Sequence, residues 1–546
     1  MFITRNISNK SKTNISLSNF YRSFGSSGSL LKTKTSDEIW TNAASNISWS
    51  KPYKELVDIS NLPFTKWFRG GEMNTCYNSI DKHILDGYGK QLAIIYSSPV
   101  TGVTDTLSYE MLHEEVCKFA YVLQKKGVNK GDRVVIYMPN SPQAIIAMLA
   151  CARLGAVHCV VFGGFAANEL TIRIRDCKPS VLICTSCGIE GSKVINYKAI
   201  VDQSISDASS THVVDTCIVY QRPQLTAPLT EGCDVAWDDE MSQVPTSVVS
   251  DNLIPCVPVE SSDPLYVLYT SGTTGQPKGV VRDNGGHAVA VKWAMEKIFG
   301  MFPGDVWWAT ADVGWVVGHS FAVYGPLLNR CTTLIYEGKP VGTPHAGIFW
   351  ELIERYKVKG IFTAPTALRA IKMMDPEGEY IKKYDISTLQ MMFLAGERSD
   401  PASLQWAEEK LRVPIRDNWW QTETGWPICG NMVEIEGYLP IKYGSSFRPC
   451  VGYDLRVFDY EENIELVTGE NGRLAVKLPM PPGFMQTIHD NDDRFVESYM
   501  SSIPGYYDTG DAGYIDEDGY VHVMTRTDDV INVSGHRLST GSMEEV

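Results

Sequence analysis

Asp132-Arg133-Val134-Val135-Ile136-Tyr137-Met138 runs into a turn at Pro139-Asn140, and Ser141–Leu154 follows with helical periodicity as far as Gly155. An unbroken apolar run before a turn reads as a strand buried on both faces. Ser141 supplies a helix N-cap and Gly155 a stop. The pattern repeats at once: Val157–Phe162 reads as a strand, Ala166–Cys177 as a helix and Val181–Cys184 as a strand. Such a β-α-β-α-β run calls for a parallel, doubly wound sheet. Gly360–Thr363, Ala364–Met373 and Met391–Leu394 renew the alternation, so a second unit of the same kind is expected. From about Val451 short alternating strands and Gly- and Asp-rich turns, such as Asp516-Glu517-Asp518-Gly519, predict a β-rich subdomain. Residues 203–262 are rich in Ser, Thr, Asp and Pro and read as irregular surface structure. The expected fold class is therefore α/β, with two doubly wound subdomains and a β-rich one.

Composition narrows the function. The 546 residues are 44% hydrophobic and 21% charged, a globular profile. A net charge of −15 is a poor match to nucleic-acid backbones, whereas an enzyme for anionic small molecules needs positive charge only locally. No apolar stretch reaches the length of a membrane span; Ala144–Ala152 runs into Arg153. The 13 cysteines include no CxxC pair, which indicates neither a disulfide framework nor a zinc site. Residues 1–36 differ from the rest. They carry Arg5, Lys10, Lys12, Arg22, Lys32 and Lys34, nine serines and no acid, with spaced apolar residues such as Ile7, Leu17 and Phe20. That composition predicts a mitochondrial transit peptide and a matrix location; the alternative is a disordered tail.

The sharpest chemical signal is Leu265-Tyr266-Val267-Leu268-Tyr269-Thr270-Ser271-Gly272-Thr273-Thr274-Gly275-Gln276-Pro277-Lys278-Gly279. A strand leads into hydroxyl residues and glycines closed by a lysine. Glycines let backbone N–H groups converge on an anion, hydroxyls add donors, and Lys278 adds full charge, which suits a polyphosphate. It is not a Walker A loop, because Pro277 stands where that pattern, counted from Gly272, needs glycine.

This loop resembles the signature of the AMP-forming adenylate enzymes, and within them the chain is most similar to short-chain acyl-CoA synthetases of the mitochondrial, propionate-preferring type. The resemblance runs from about Ile39 to the end. It includes Trp307–Ser320, Thr363–Ala367, Asp417–Thr424, Tyr507–Asp511 and Arg526–Arg537. It implies ATP-dependent ligation of a short-chain carboxylic acid to CoA through an acyl-AMP, with release of AMP and pyrophosphate. By the same resemblance Lys278, Thr274, Glu423 and Arg526 are catalytic, and Glu423 holds Mg²⁺. Thr270, Ser271, Gly272, Thr273 and Gly275 meet the phosphates. Gly396, Glu397, Arg398 and the run Asp417, Asn418, Trp419, Trp420, Gln421 and Thr422 line adenine and the α-phosphate. Asp511 and Arg537 face the ribose. Glu190, Gly191, Ser192, Lys193 and Ser534 match CoA contacts, although relatives that activate acetate carry arginines aligned with Glu190 and Lys193. Trp315, Val316, Val317, Ala395 and Trp420 line the acyl pocket. His319 reads as equally suited to packing and to catalysis, and the acidic run Asp490–Asp493 as a solvated loop.

The resemblance places the adenylation domain at residues 37–527. Asp528 is the hinge of the family, and residues 528–546 are the truncated start of a C-terminal lid domain that carries a further lysine. The expectation is a large domain without its lid, slow in forming acyl-adenylate and poor in making thioester. Two rivals accompany this reading: a truncated nucleotide-binding homologue with little ligase activity, and an adenylating enzyme whose acceptor is not CoA.

Overall fold

In a computed structural model the described residues are 35–270 and 276–527, together with the backbone of 531–533 and 536–538. Residues 1–34 of the expected leader, residues 271–275, Asp528, Ser534 and the side chain of Arg537 lie outside them.

Both expected sheets are present. The first runs in the order Asp234–Ala236, Thr216–Tyr220, Val181–Thr185, Arg133–Tyr137, Val157–Val160, Pro264–Thr270, Lys278–Asp283, Thr487–Ile488. Arg133–Tyr137 pairs in parallel with both Val157–Val160 and Val181–Thr185, as a doubly wound connection requires. The intervening helices are Pro142–Leu154, capped by the Ser141 hydroxyl and ended by Gly155 at φ 68°, and Ala167–Cys177. All of Pro142–Leu154 except half-buried Gln143 is buried, because the helix is sandwiched rather than exposed on one side.

The second sheet runs Ile415–Asp417, Met391–Leu394, Gly360–Thr363, Val306–Ala309, Thr332–Tyr336, Leu92–Ser98, Val103–Ser108. All neighbours are parallel except the last pair. Leu455–Phe458, Gly472–Lys477, Tyr506–Ile515 and Val521–Arg526 form the β-rich unit, a four-stranded antiparallel sheet.

Three readings need correction. Residues 203–262 are not irregular throughout. The end of helix Tyr197–Ala208, the buried strand Thr216–Tyr220 and the edge strand Asp234–Ala236 fall there, and polar flanks hid the apolar Cys217-Ile218-Val219. The acidic run is no loop either: Asn491 caps a helix over Asp492–Tyr499, whose first-turn acids suit the positive end of the helix dipole. Thr35 and Ser36, assigned to the leader, take part in a helix. Thr35 and Glu38 form a capping box for helix Ser36–Ala44, which buries Trp40 between Trp293 (5.2 Å) and Trp426 (5.7 Å).

The two large sheets are also tied by charge. Arg222, after the first sheet's strand 216–220, donates to both oxygens of Glu337, after the second sheet's strand 332–336, at 2.9 Å. Tyr96 and Ser98 donate to the same carboxylate at 2.6 and 2.9 Å, so the buried acid is fully served.

Candidate active site

The C-terminal ends of four parallel strands of the second sheet converge on two cavities, the usual place for a ligand in an open α/β sheet. Thr310, Thr363, Ala364 and Ala395, at or just past three of those ends, line an apolar cavity of about 340 Å³ with Val317, Phe349 and Phe362. Gly396, Glu397, Arg398, Asp417, Asn418, Trp419, Trp420 and Gln421 line a polar one of about 320 Å³. The β-rich unit closes the polar cavity with Asp511, Val523, Met524, Thr525 and Arg526. Ala395 and Gly396 thus belong to different cavities, and Gly396 has φ 104°, where glycine carries no steric penalty. Half-buried Trp420 stacks on Phe362 with ring centres 6.1 Å apart, which makes this pair a wall shared by the two spaces.

Asp511 is the best-anchored acid of the polar cavity. Oδ2 accepts from Trp419 Nε1 at 2.9 Å and Gln421 Nε2 at 2.6 Å, while Oδ1 accepts from Arg526 at 3.3 Å. Asp511 and Arg526 face each other across adjacent strands, so sheet register makes this pair. Burial raises the Asp511 carboxyl above its ordinary range, and Arg526, Trp419 and Gln421 pull it back. Burial likewise raises Asp417 to about 7, opposed by the Ser399 hydroxyl. Glu397 accepts from Thr366 N at 2.6 Å and from Arg369 at 2.8 Å.

Thr270 and Lys278 are cross-strand partners, so residues 271–277 join two antiparallel strands of the first sheet and Lys278 opens the second of them. Lys278 Nζ lies 4.4 Å from the Tyr499 ring centre, and the Tyr499 hydroxyl donates to Glu423 Oε1 at 2.7 Å. Glu423 is partly exposed, and among the described residues no other hydrogen bond is made to its carboxylate. A hard oxygen donor beside a phosphate-type loop fits Mg²⁺. The turn that carries Glu423 is pinned from below. Buried Arg282 donates to the carbonyls of Thr422, Glu423 (2.9 Å) and Gly483 (2.5 Å).

Other expected site residues fall elsewhere. Trp315 and Val316 do not line the apolar cavity. Trp315 is 46% exposed and packs on Phe162 and Phe165, and Val316 is half-buried against the core. The tight turn at Asp312–Trp315, closed by Gly314 N on Asp312 Oδ1 (2.7 Å), points successive side chains in different directions, and only Val317 reaches the cavity. Glu190 and Gly191 line a third cavity of about 410 Å³, which shares Thr310, Tyr336 and Gly338 with the apolar one. Ser192 and Lys193 are exposed on the neighbouring hairpin outside that lining, and Glu190 pairs with Lys339 at 2.9 Å. His319 is packed rather than poised. It is fully buried 4.6 Å from the Tyr266 ring, and burial lowers it to about 4, so it is neutral.

Sequence reasoning missed Tyr499, Arg282 and Arg494, which donates to the Gln276 and Pro277 carbonyls. None stands inside a motif, and each acts through a neighbour far away in the chain.

With this geometry in place, the comparisons are decisive. Residues 83–486 match the family described as AMP-binding enzyme, and residues 33–79 match the acetyl-coenzyme A synthetase N-terminus. The chain belongs to the AMP-binding enzymes. It is 47% identical to the mitochondrial acyl-CoA synthetase short-chain family member 3 of Rattus norvegicus, over 93% of this chain and 73% of that one. It is 42% identical to the propionate–CoA ligase of Escherichia coli, over 93% of this chain and 79% of the relative. Acetoacetyl-CoA synthetase from Streptomyces lividans has the same fold, with a TM-score of 0.83 over 93% of this chain and 76% of that one at 24% identity. This AMP-binding enzyme is therefore an acyl-CoA ligase of the AMP-forming type, with ATP and CoA as its co-substrates, and the rival of a silent nucleotide-binding homologue finds no support. Among the described residues no helix is long and apolar enough to cross a membrane.

Proposed function

We propose that the ligase activates propionate first and acetate second, through an acyl-AMP, and that it does so in the mitochondrial matrix. The observation that carries the substrate reading is the wall between the two cavities. The Trp420–Phe362 pair closes one side of a space of about 340 Å³, and the small side chain of Ala395 stands next to it. A carboxylate at this wall has its alkyl chain on the apolar side and its oxygens toward the nucleotide. Room for one more methylene is worth about 0.8 kcal/mol in burial alone, which favours propionate over acetate by several-fold or more.

In this reading ATP occupies the polar cavity, with its phosphates toward Lys278. Asp511 accepts from the ribose hydroxyls. Its carboxylate offers about four acceptor positions, three already taken, so the ribose must approach on the Arg526 side, where the present bond is longest. Arg526 then exchanges its Asp511 contact for one to the phosphate. Two anions must meet, and Lys278 and Arg526 offset their repulsion and the charge that develops at the α-phosphate. Glu423 would hold Mg²⁺, which supplies charge neutralisation for the phosphates. CoA enters through the third cavity, whose shared residues Thr310, Tyr336 and Gly338 open toward the acyl group.

The experiment is a series of kcat/KM values for acetate, propionate, butyrate and hexanoate, read by pyrophosphate and thioester formation. Propionate should lead, and a preference for acetate would overturn the substrate reading. A reporter fused to residues 1–36 tests the location, where a diffuse cytosolic signal would leave only the tail reading.

A further inference from the structure

Helix Asp492–Tyr499 touches the phosphate-type loop at both of its ends. Near its start, Arg494 donates from Nη1 to the Pro277 carbonyl at 3.0 Å and from Nη2 to the Gln276 carbonyl at 2.6 Å. At its end, Tyr499 is buried with its ring under Lys278 Nζ and its hydroxyl on Glu423 Oε1. Tyr507 lies 5.7 Å from the Tyr499 ring and donates to Gln421 Oε1 at 2.6 Å, and Gln421 in turn donates to Asp511. One layer of buried tyrosines therefore runs beneath the lysine and both acids.

We propose that Tyr499 is a positioning residue that holds Lys278 and Glu423 in fixed relation before nucleotide arrives. This rests on the reading of Lys278 as phosphate-binding and Glu423 as metal-binding. Lys278 stands on a flexible four-carbon stem, and the face of an aromatic ring attracts its ammonium and narrows where it can sit. Glu423 stands on a turn, and a charge-assisted bond to one carboxylate oxygen fixes the direction in which the other points. A single side chain thus does for two charges what a separate partner for each would do less rigidly, because its ring is packed between Phe495 and Tyr507. Less has to be ordered when the metal–nucleotide complex binds, which is the gain of pre-organisation.

The two functions of Tyr499 can be separated. Tyr499→Phe removes the bond to Glu423 and keeps the ring under Lys278; Tyr499→Leu removes both. Calorimetry with ATP plus Mg²⁺, and with ATP plus chelator, reads the two effects apart. Glu423→Gln and Lys278→Ala serve as references, and melting temperatures are recorded for all. For Tyr499→Phe the expected result is an affinity for Mg–ATP about 10-fold lower, the worth of one hydrogen bond to a charged group, with metal-free ATP binding changed less than about 2-fold. Tyr499→Leu should weaken both. If Tyr499→Leu does not fold, the isosteric Phe variant decides alone. Wild-type Mg–ATP affinity in Tyr499→Phe, or equal losses with and without Mg²⁺, would overturn the proposal while the Glu423→Gln effect left the site reading standing. No effect of Glu423→Gln and Lys278→Ala would remove both.

Discussion

The two cavities on either side of Trp420 are built by opposite means. The polar one is held by donors and acceptors: Asp511 by Trp419, Gln421 and Arg526, and Gln421 by Tyr507. The apolar one is held by volume, from Val317, Phe349, Phe362 and Ala395. Its lining contains one ionisable side chain, Tyr336, which burial raises to about 12. Binding strength should thus be governed on one side by charge and on the other by shape, with little crossing of the wall.

The largest effect is expected away from both. Arg222→Met should leave Glu337 buried without its cation and cost about 3–5 kcal/mol of stability, read as a lowered melting temperature. If it also changed the propionate-to-acetate ratio, the cavities would be coupled through the join between the sheets. Next, Lys278→Ala and Asp511→Asn should each weaken ATP binding about 10- to 100-fold by calorimetry and leave acid preference alone. Asp511→Asn serves better than Ala, which would strand the buried N–H groups of Trp419 and Gln421.

On the apolar side, Ala395→Val should move preference back toward acetate by a factor of several, and Trp420→Gly should admit longer acids, both read as kcat/KM ratios. Unchanged ATP affinity in Ala395→Val would sharpen the contrast; a loss as large as that of Lys278→Ala would break it. The smallest effect concerns pH. Asp417 ionises only above about 7, so its power to accept from a bound base fades as pH falls through that value. ATP affinity should decline a few-fold between pH 8 and pH 6, and the decline should vanish in Asp417→Asn. The acid ratio should stay flat over the same range, because Tyr336 does not titrate there.

The legibility of the site followed the same division. Lys278 closes a run of glycines and hydroxyl residues whose spacing marks an anion loop, whereas Asp511, Glu423 and Asp417 are named only through resemblance to the family's motifs. Volume does not announce itself in that way. Trp315, Val316 and Val317 are consecutive, yet one turn sends only the last to the cavity. Tyr499 sits in a polar stretch with nothing to mark it. Its importance comes from Glu423 and Lys278, which reach it only after two sheets have packed.

What the sequence by itself determined is the class of fold and the list of chemical groups. Apolar runs such as Val134–Met138 must be buried on both faces, and their alternation with helices admits little besides a doubly wound sheet. What only the tertiary structure decided is which of these groups meet. Leu92–Ser98 joins the second sheet beside Thr332–Tyr336, and the β-rich unit brings Asp511 over Trp419. The physical reason is range. Periodicity records whether a residue is buried within its own element, over a few neighbours in the chain. The partner across the cavity is chosen by how whole elements pack, and no local pattern carries that information.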